Sequence, residues 1–62
     1  MMHTFTWAVE RRRGLDKPWR VIQTDVEQSP VSDLKVFGSL KMIELGEYDF
    51  ADPDTRLSVY RW

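Results

Sequence analysis

The first alternating run is the feature that most constrains what this chain folds into. From residue 3 to residue 13, apolar and polar side chains alternate, and Phe5, Trp7 and Val9 all point to one side. Threonine, aromatic and β-branched residues favour pleated structure, and a period of two is typical of a half-buried strand. The run therefore predicts a strand with one strongly apolar face.

A turn and a second alternating run follow. Residues 14–18 read GLDKP and contain Gly, Asp and Pro, which turns favour. Residues 19–28 alternate again, with valine, isoleucine and threonine among them. Two such runs around a short turn indicate a β-hairpin, so we predict one with strands over 3–13 and 19–28.

A four-residue loop over 14–17 is a common hairpin connection and sets the expected register. Arg11 then lies opposite Arg20. In the same register, Ile22 and Val26 join the apolar face of the first strand, which would make a credible core.

The segment after the hairpin allows two interpretations. Ser29 before Pro30 suits the start of a helix, but the residues that follow alternate as a strand does. On a helical wheel their apolar side chains spread around most of the circumference and leave a poor amphipathic stripe. We predict a helical turn near 30–34 and a strand at about 35–45, with a helix over 30–45 as the alternative.

The C-terminal part predicts a loop and a last strand. Residues 46–54 contain an Asp-Pro-Asp turn signal, and Tyr48 and Phe50 are expected to fold back on the core. Residues 55–62 alternate and predict a strand. The expected fold is mostly β, an antiparallel sheet of about four strands in a single small domain over 1–62. A small α+β fold of ββαβ order is the alternative.

Size and composition limit the stability of such a domain. A chain of 62 residues buries only about 60% of its unfolded surface, and without cysteine it has no disulfide to reinforce it. Its 42% hydrophobic content is enough for a compact core. No stretch approaches the roughly 20 apolar residues that a membrane span needs, and no targeting segment is visible. We expect a cytoplasmic protein with no membrane partner.

Few residues suit catalysis or metal binding. His3 is the single histidine, and with no cysteine nothing completes a zinc site. No nucleophile–base pair and no glycine-rich phosphate loop is evident. We therefore expect no catalytic residues, no metal and no cofactor, and a protein that is not an enzyme.

The basic residues are unevenly distributed although the net charge is only −1. In the expected hairpin, Arg11 and Arg20 face each other, and like charges facing across strands are destabilising. Either they lie at a hydrated, frayed hairpin end, or they dock carboxylates or phosphates, which guanidinium groups bind bidentately. On the opposite face, the register places Arg12 over Trp19.

Exposed aromatic residues point to the same kind of role. Trp, Tyr and Arg are the residue types that contribute most of the binding energy at protein interfaces. A simpler explanation for Trp19 and Trp62 is that the two side chains pack against each other within the chain. The predicted partner-binding residues are Arg11, Arg12, Arg13, Trp19, Arg20, Tyr60 and Trp62.

These observations predict a non-enzymatic small protein-binding module that acts stoichiometrically. Its small size and lack of catalytic chemistry suggest an inhibitor or accessory protein of bacterial or phage type. The expected partner is another protein, with an acidic surface facing the arginines. Homodimerisation is expected as well. The alternative is a nucleic-acid-binding sheet with stacked aromatics and phosphate contacts from Arg11, Arg12 and Arg13, which the nearly balanced charge disfavours.

Overall fold

The computed structural model describes residues 1–62 and contains three strands and one helix. In chain order the elements are β1 (His3–Arg11), β2 (Arg20–Ser29), α1 (Leu34–Glu44) and β3 (Thr55–Arg61). The strands form one antiparallel sheet in the order β2-β1-β3, so β1 is central. The fold is therefore a small α+β fold of ββαβ order.

The core lies between β1 and the helix. Phe5, Trp7 and Val9 are all buried, as their alternation predicts, and Phe37 of α1 and Leu45 complete the buried cluster. The rings of Phe5 and Phe37 are stacked, with centroids 4.0 Å apart. One face of the sheet is thus covered by α1.

The predicted hairpin is confirmed, with strands that differ by a few residues from those expected. Arg11 pairs with Arg20 as predicted, but β1 ends there instead of at residue 13. The connection is longer than four residues because Arg12 leaves the hairpin, and its backbone N–H donates to the carbonyl of Asp54 at 3.0 Å.

A β-bulge changes the register over the rest of the hairpin. Glu10 pairs with Val21, but Val9 pairs with Gln23, which leaves Ile22 as the extra residue. Beyond the bulge every side chain of β2 lies on the face opposite to the predicted one, because strand side chains alternate with a period of two. The prediction that Ile22 and Val26 join the core is therefore wrong, and both are exposed.

Residues 34–44 are helical, so the predicted strand at about 35–45 is wrong, and the sheet has three strands instead of about four. The side chain of Asp33 caps the helix, since its Oδ1 accepts the backbone N–H groups of Lys35 and Val36 at 2.8 and 3.2 Å. The alternative prediction of a ββαβ fold with one helix here is confirmed. The helix, eleven residues long, is too short and too polar to cross a bilayer.

The helix forms because one stripe of residues is enough to cover β1. Phe37 and Lys41 are its buried positions, and the C-cap residue Leu45 continues the same stripe at a spacing of four; the other large apolar side chains of α1 stay exposed. The predicted helical turn near 30–34 does not form. Ser29 is not a helix cap; its hydroxyl accepts the backbone N–H of Val31 at 3.1 Å.

The loop and the last strand agree with the sequence. Tyr48 and Phe50 pack against the core cluster, as predicted, and Tyr48 Oη donates to Gln23 Oε1 at 2.7 Å. The final strand pairs with β1 from Thr55 to Arg61, antiparallel and without a bulge. Its register places the C-terminal aromatic residues near the start of β1.

Candidate functional site

The sheet has one face that no helix or strand of the chain covers, which we call the open face. Side chains alternate along β1, so the residues between the buried Phe5, Trp7 and Val9 point away from the helix. Their cross-strand partners point the same way. The open face comprises Thr4, Thr6, Ala8, Glu10, Val21, Thr24, Val26, Gln28, Arg56, Ser58, Tyr60 and Trp62.

Aromatic side chains occupy one end of the open face. Tyr60 is 68% exposed and Trp62 is 77% exposed, and both lie beside Thr6. The indole Nε1 of Trp62 donates to Thr6 Oγ1 at 2.7 Å, which holds the ring against the sheet. Val26, paired with Thr6 from the other side, is half exposed. The predicted binding residues Tyr60 and Trp62 therefore lie together on an uncovered apolar patch.

Trp19 lies at the other end, against two guanidinium groups. The carbon centres of Arg12 and Arg56 are 4.5 and 4.0 Å from the ring centroid, so the predicted contact of Arg12 with Trp19 is present. Each arginine also has a carboxylate partner, because Arg12 Nε is 2.9 Å from Asp54 Oδ1 and Arg56 Nε is 3.0 Å from Glu10 Oε1. The charges beside Trp19 thus neutralise one another.

Glu10 is the acidic member of this network. Its carboxylate accepts a hydrogen bond from the hydroxyl of Ser58 and another from Arg56 Nε. These two bonds, with the hydroxyl contributing most, hold the pKa of Glu10 below its usual value against a smaller opposing effect of burial. Glu10 therefore stays charged under mildly acidic conditions.

Basic side chains surround a depression at the hairpin end of the sheet. Arg11 and Arg20 are directly opposed and, by the alternation of β1, lie on the helix side of the sheet. The depression has a volume of about 330 Å³. We call it the arginine pocket; its lining residues are Arg11, Arg12, Arg13, Lys17, Pro18, Arg20 and Ile22.

The arginine pocket carries an uncompensated positive charge. Of its five cationic side chains, Arg12 is paired with Asp54, and Lys17 lies 3.9 Å from the exposed carboxylate of Asp16. The other three form no salt bridge. Five positive charges against two carboxylates leave three positive charges in the pocket, and the uncompensated side chains are Arg11, Arg13 and Arg20.

The structure thus divides the single surface predicted from the sequence into two. The arginines meet around the pocket, whereas Tyr60 and Trp62 lie on the opposite side of the sheet near the start of β1. The register also separates Trp19 from Trp62, which lie at opposite ends of β1, so the two indoles do not pack together.

Sequence reasoning missed a buried cation beneath β1. Lys41 is buried on α1, and its Nζ lies 2.6 Å from both Glu27 and Glu44 and 5.3 Å from the ring centroid of Trp7. Burial lowers the pKa of Lys41, but the bonds to the two carboxylates outweigh it and raise that pKa above its ordinary value. Only the spacing of Lys41 and Glu44 is visible in the sequence; the contact with Glu27 depends on the bulge.

No known protein family, curated protein or solved structure matches this chain. No three histidine, cysteine, aspartate or glutamate side chains are grouped so that they would hold a metal ion. The open face and the arginine pocket are the two surfaces that carry the predicted binding residues, with Trp19 packed against Arg12 and Arg56.

Proposed function

We propose that this protein is a non-enzymatic binding module that holds a partner protein against its open face. One observation carries the proposal. The sheet has a helix on one side only, and the uncovered side displays Tyr60, Trp62, Val21 and Val26, all exposed. Domains bury an apolar sheet face against another element, and here the partner would add a third layer to the sheet and helix.

The chemistry of the open face indicates what kind of partner it fits. Its charged groups are already paired within the chain, Arg56 with Glu10 and the neighbouring Arg12 with Asp54. A partner therefore needs no complementary charge there. The aromatic patch fits an apolar protein surface, and the hydroxyl groups of Thr4, Thr24 and Ser58 lie among the apolar side chains. Aromatic residues in this setting commonly dominate binding energy.

The same geometry disfavours the nucleic-acid alternative. A sheet that stacks bases needs free aromatic rings next to free cations, so that bases and phosphates are bound together. Here Tyr60 and Trp62 lie on one side of the sheet, and Arg11 and Arg20 lie on the other. Trp19 is already in contact with two guanidinium groups, and Tyr48, whose ring centroid lies 5.9 Å from Arg11, packs against the core and bonds to Gln23.

A crosslinking experiment tests the proposal directly. A photoreactive phenylalanine analogue is placed at Tyr60 on the open face or, as the matched control, at Ile43, which is 77% exposed on the outer side of α1. We expect one discrete protein adduct from position 60 that still forms when crosslinking follows nuclease treatment or is carried out at high salt, and none from position 43. Equal labelling from both positions, or an adduct that no longer forms after nuclease treatment, would contradict the proposal.

Variants in the same assay separate a partner from a second copy. The double variant Tyr60→Thr/Trp62→Thr should bind the captured partner at least about tenfold more weakly, since aromatic hot spots contribute 2 kcal/mol or more. Ile43→Ala should bind normally. Light scattering during size-exclusion chromatography shows whether the adduct is a homodimer. In that case the partner on the open face is a second copy of this chain.

A further inference from the structure

We infer that the arginine pocket is a binding site for a diphosphate group carried by a small molecule. The site is separate from the open face, because Arg11 and Arg20 lie on the helix side of the sheet. The inference therefore does not depend on the proposed docking of a partner protein.

The hairpin end is held in place and is not a frayed terminus. The backbone N–H of Arg12 donates to the carbonyl of Asp54 at 3.0 Å, and its Nη2 donates to the carbonyl of Pro53 at 3.2 Å. Within the loop, Lys17 N–H donates to the carbonyl of Gly14 at 3.0 Å. The backbone that carries these cations is thus bonded to residues 53–54 and across the hairpin loop itself. A backbone held in this way loses less conformational entropy when a ligand binds.

The charge of the pocket favours a bound anion. Arg11 and Arg20 face each other directly, and neither they nor Arg13 has a carboxylate partner. Within the chain, Arg11 has only a cation–π contact with Tyr48, 5.9 Å from the ring centroid, and the facing cations repel each other, whereas a bound anion turns the arrangement into charge-assisted hydrogen bonds. Two phosphate groups carry about three to four negative charges, close to the three positive charges left over. Guanidinium groups also match phosphate oxygens bidentately.

The shape of the pocket indicates the size of the ligand. A volume of about 330 Å³ lies at the lower end of the range for small-molecule sites, roughly 300–1,000 Å³, and is more than one phosphate group fills. No aromatic side chain lines the pocket, so nothing there stacks on a base. Pro18 and Ile22 form its apolar wall. This combination fits a compact diphosphate better than a nucleic-acid strand, which an extended groove would track.

Calorimetry with defined probes tests the site. Pyrophosphate, orthophosphate and adenosine diphosphate are titrated into the intact protein at physiological ionic strength. We expect pyrophosphate to bind with a stoichiometry of one, and orthophosphate to bind about tenfold more weakly because it engages fewer guanidinium groups. Binding of adenosine diphosphate at a similar affinity would identify an organic diphosphate as the ligand, and its absence would identify an inorganic one.

Two matched variants separate a built site from general attraction between charges. Arg20→Gln removes a pocket cation, and Arg61→Gln removes the same charge from the far end of the sheet, where Arg61 pairs with Phe5. We expect Arg20→Gln to weaken pyrophosphate binding about tenfold and Arg61→Gln to leave it unchanged. Circular dichroism confirms that both variants are folded, and Arg13→Gln provides a second pocket variant that lies outside the strands.

Three results would overturn the inference: no pyrophosphate binding, equal weakening by Arg20→Gln and Arg61→Gln, or a single-stranded oligonucleotide that binds more than about tenfold more tightly than pyrophosphate. The last result would assign the pocket to nucleic acid. The variant Tyr60→Thr/Trp62→Thr should bind pyrophosphate normally, so failure of this inference and failure of the proposed function are distinguishable.

Discussion

The ring of Phe37 lies flat on the ring of Phe5, with centroids 4.0 Å apart and planes inclined by 7°. Both side chains are buried, and the contact joins the helix to the central strand. Leu45, at the C-terminal end of α1, belongs to the same buried cluster, so the two residues anchor both halves of the helical segment to β1.

Truncation of this contact should remove most of the stability of the domain. We expect Phe37→Ala to lower the free energy of unfolding by about 3–5 kcal/mol, through lost burial and the cavity left behind. Urea denaturation followed by tryptophan fluorescence measures the change. Ile43→Ala, on the exposed side of the same helix, should change it by less than about 0.5 kcal/mol. Similar losses in the two variants would show that the helix does not pack through Phe37.

A glycine in the middle of α1 offers a stabilising change. A methyl group added at Gly38 would lie 3.6 Å from Val59 Cγ2, an ordinary van der Waals distance. Alanine also has a higher helix propensity than glycine, so we expect Gly38→Ala to raise the free energy of unfolding by about 0.5–1 kcal/mol. Thermal denaturation measures this, and a lower melting temperature would mean that α1 and β3 lie closer than the structure has them.

Repulsion between Arg11 and Arg20 should lower the free energy of unfolding when no anion is bound. Removing one of them by Arg20→Gln is expected to raise the free energy of unfolding by about 0.2–1 kcal/mol in buffer free of phosphate and sulfate. Arg61→Gln, which changes the net charge equally, is the control. Added salt should stabilise the parent protein more than Arg20→Gln, because it screens the repulsion between Arg11 and Arg20. A loss of stability in Arg20→Gln would refute the repulsion.

Acid stability should depend on Glu10. Its pKa is lower in the folded protein than the ordinary value of 4.5, because Ser58 and Arg56 bind the charged form. The stabilisation is therefore present above about pH 4.5 and is lost as the pH falls through the lowered pKa. We expect the difference in melting temperature between the parent and Glu10→Gln to shrink below that pH. Glu47→Gln, in the exposed loop after α1, serves as the control, and a constant difference would contradict the prediction.

Much of the sheet could be read from the sequence because its signals are local. Alternation identified the buried face of β1 and the last strand, and the Gly, Asp and Pro cluster identified the turn. The aromatic residues Tyr48 and Phe50 were expected to cover the core because a loop rich in acidic residues has little other reason to carry them. The proximity of Arg11 and Arg20 also followed from the hairpin alone.

The helix could not be chosen from local pattern, because the segment fits a strand and a helix about equally well. Its apolar residues alternate, yet the positions that become buried, Phe37, Lys41 and Leu45, recur every four residues. Which pattern applies depends on what covers β1, and that is a property of the assembled chain. Tertiary packing here overrides the weak preference of the segment itself.

The sequence by itself determined the hairpin, the apolar face of β1 and the cluster of arginines, since each depends on residues close in the chain. Only the tertiary structure decided the bulge beside Val9, and with it which face of β2 meets the helix. A shift of one residue exchanges the two faces of a strand. It brings Glu27 to Trp7 and Lys41 and moves Val26 to the open face. The pairing of β3 with β1, also a property of the assembled chain, places Tyr60 opposite Thr6 and so divides the aromatic surface from the arginine pocket.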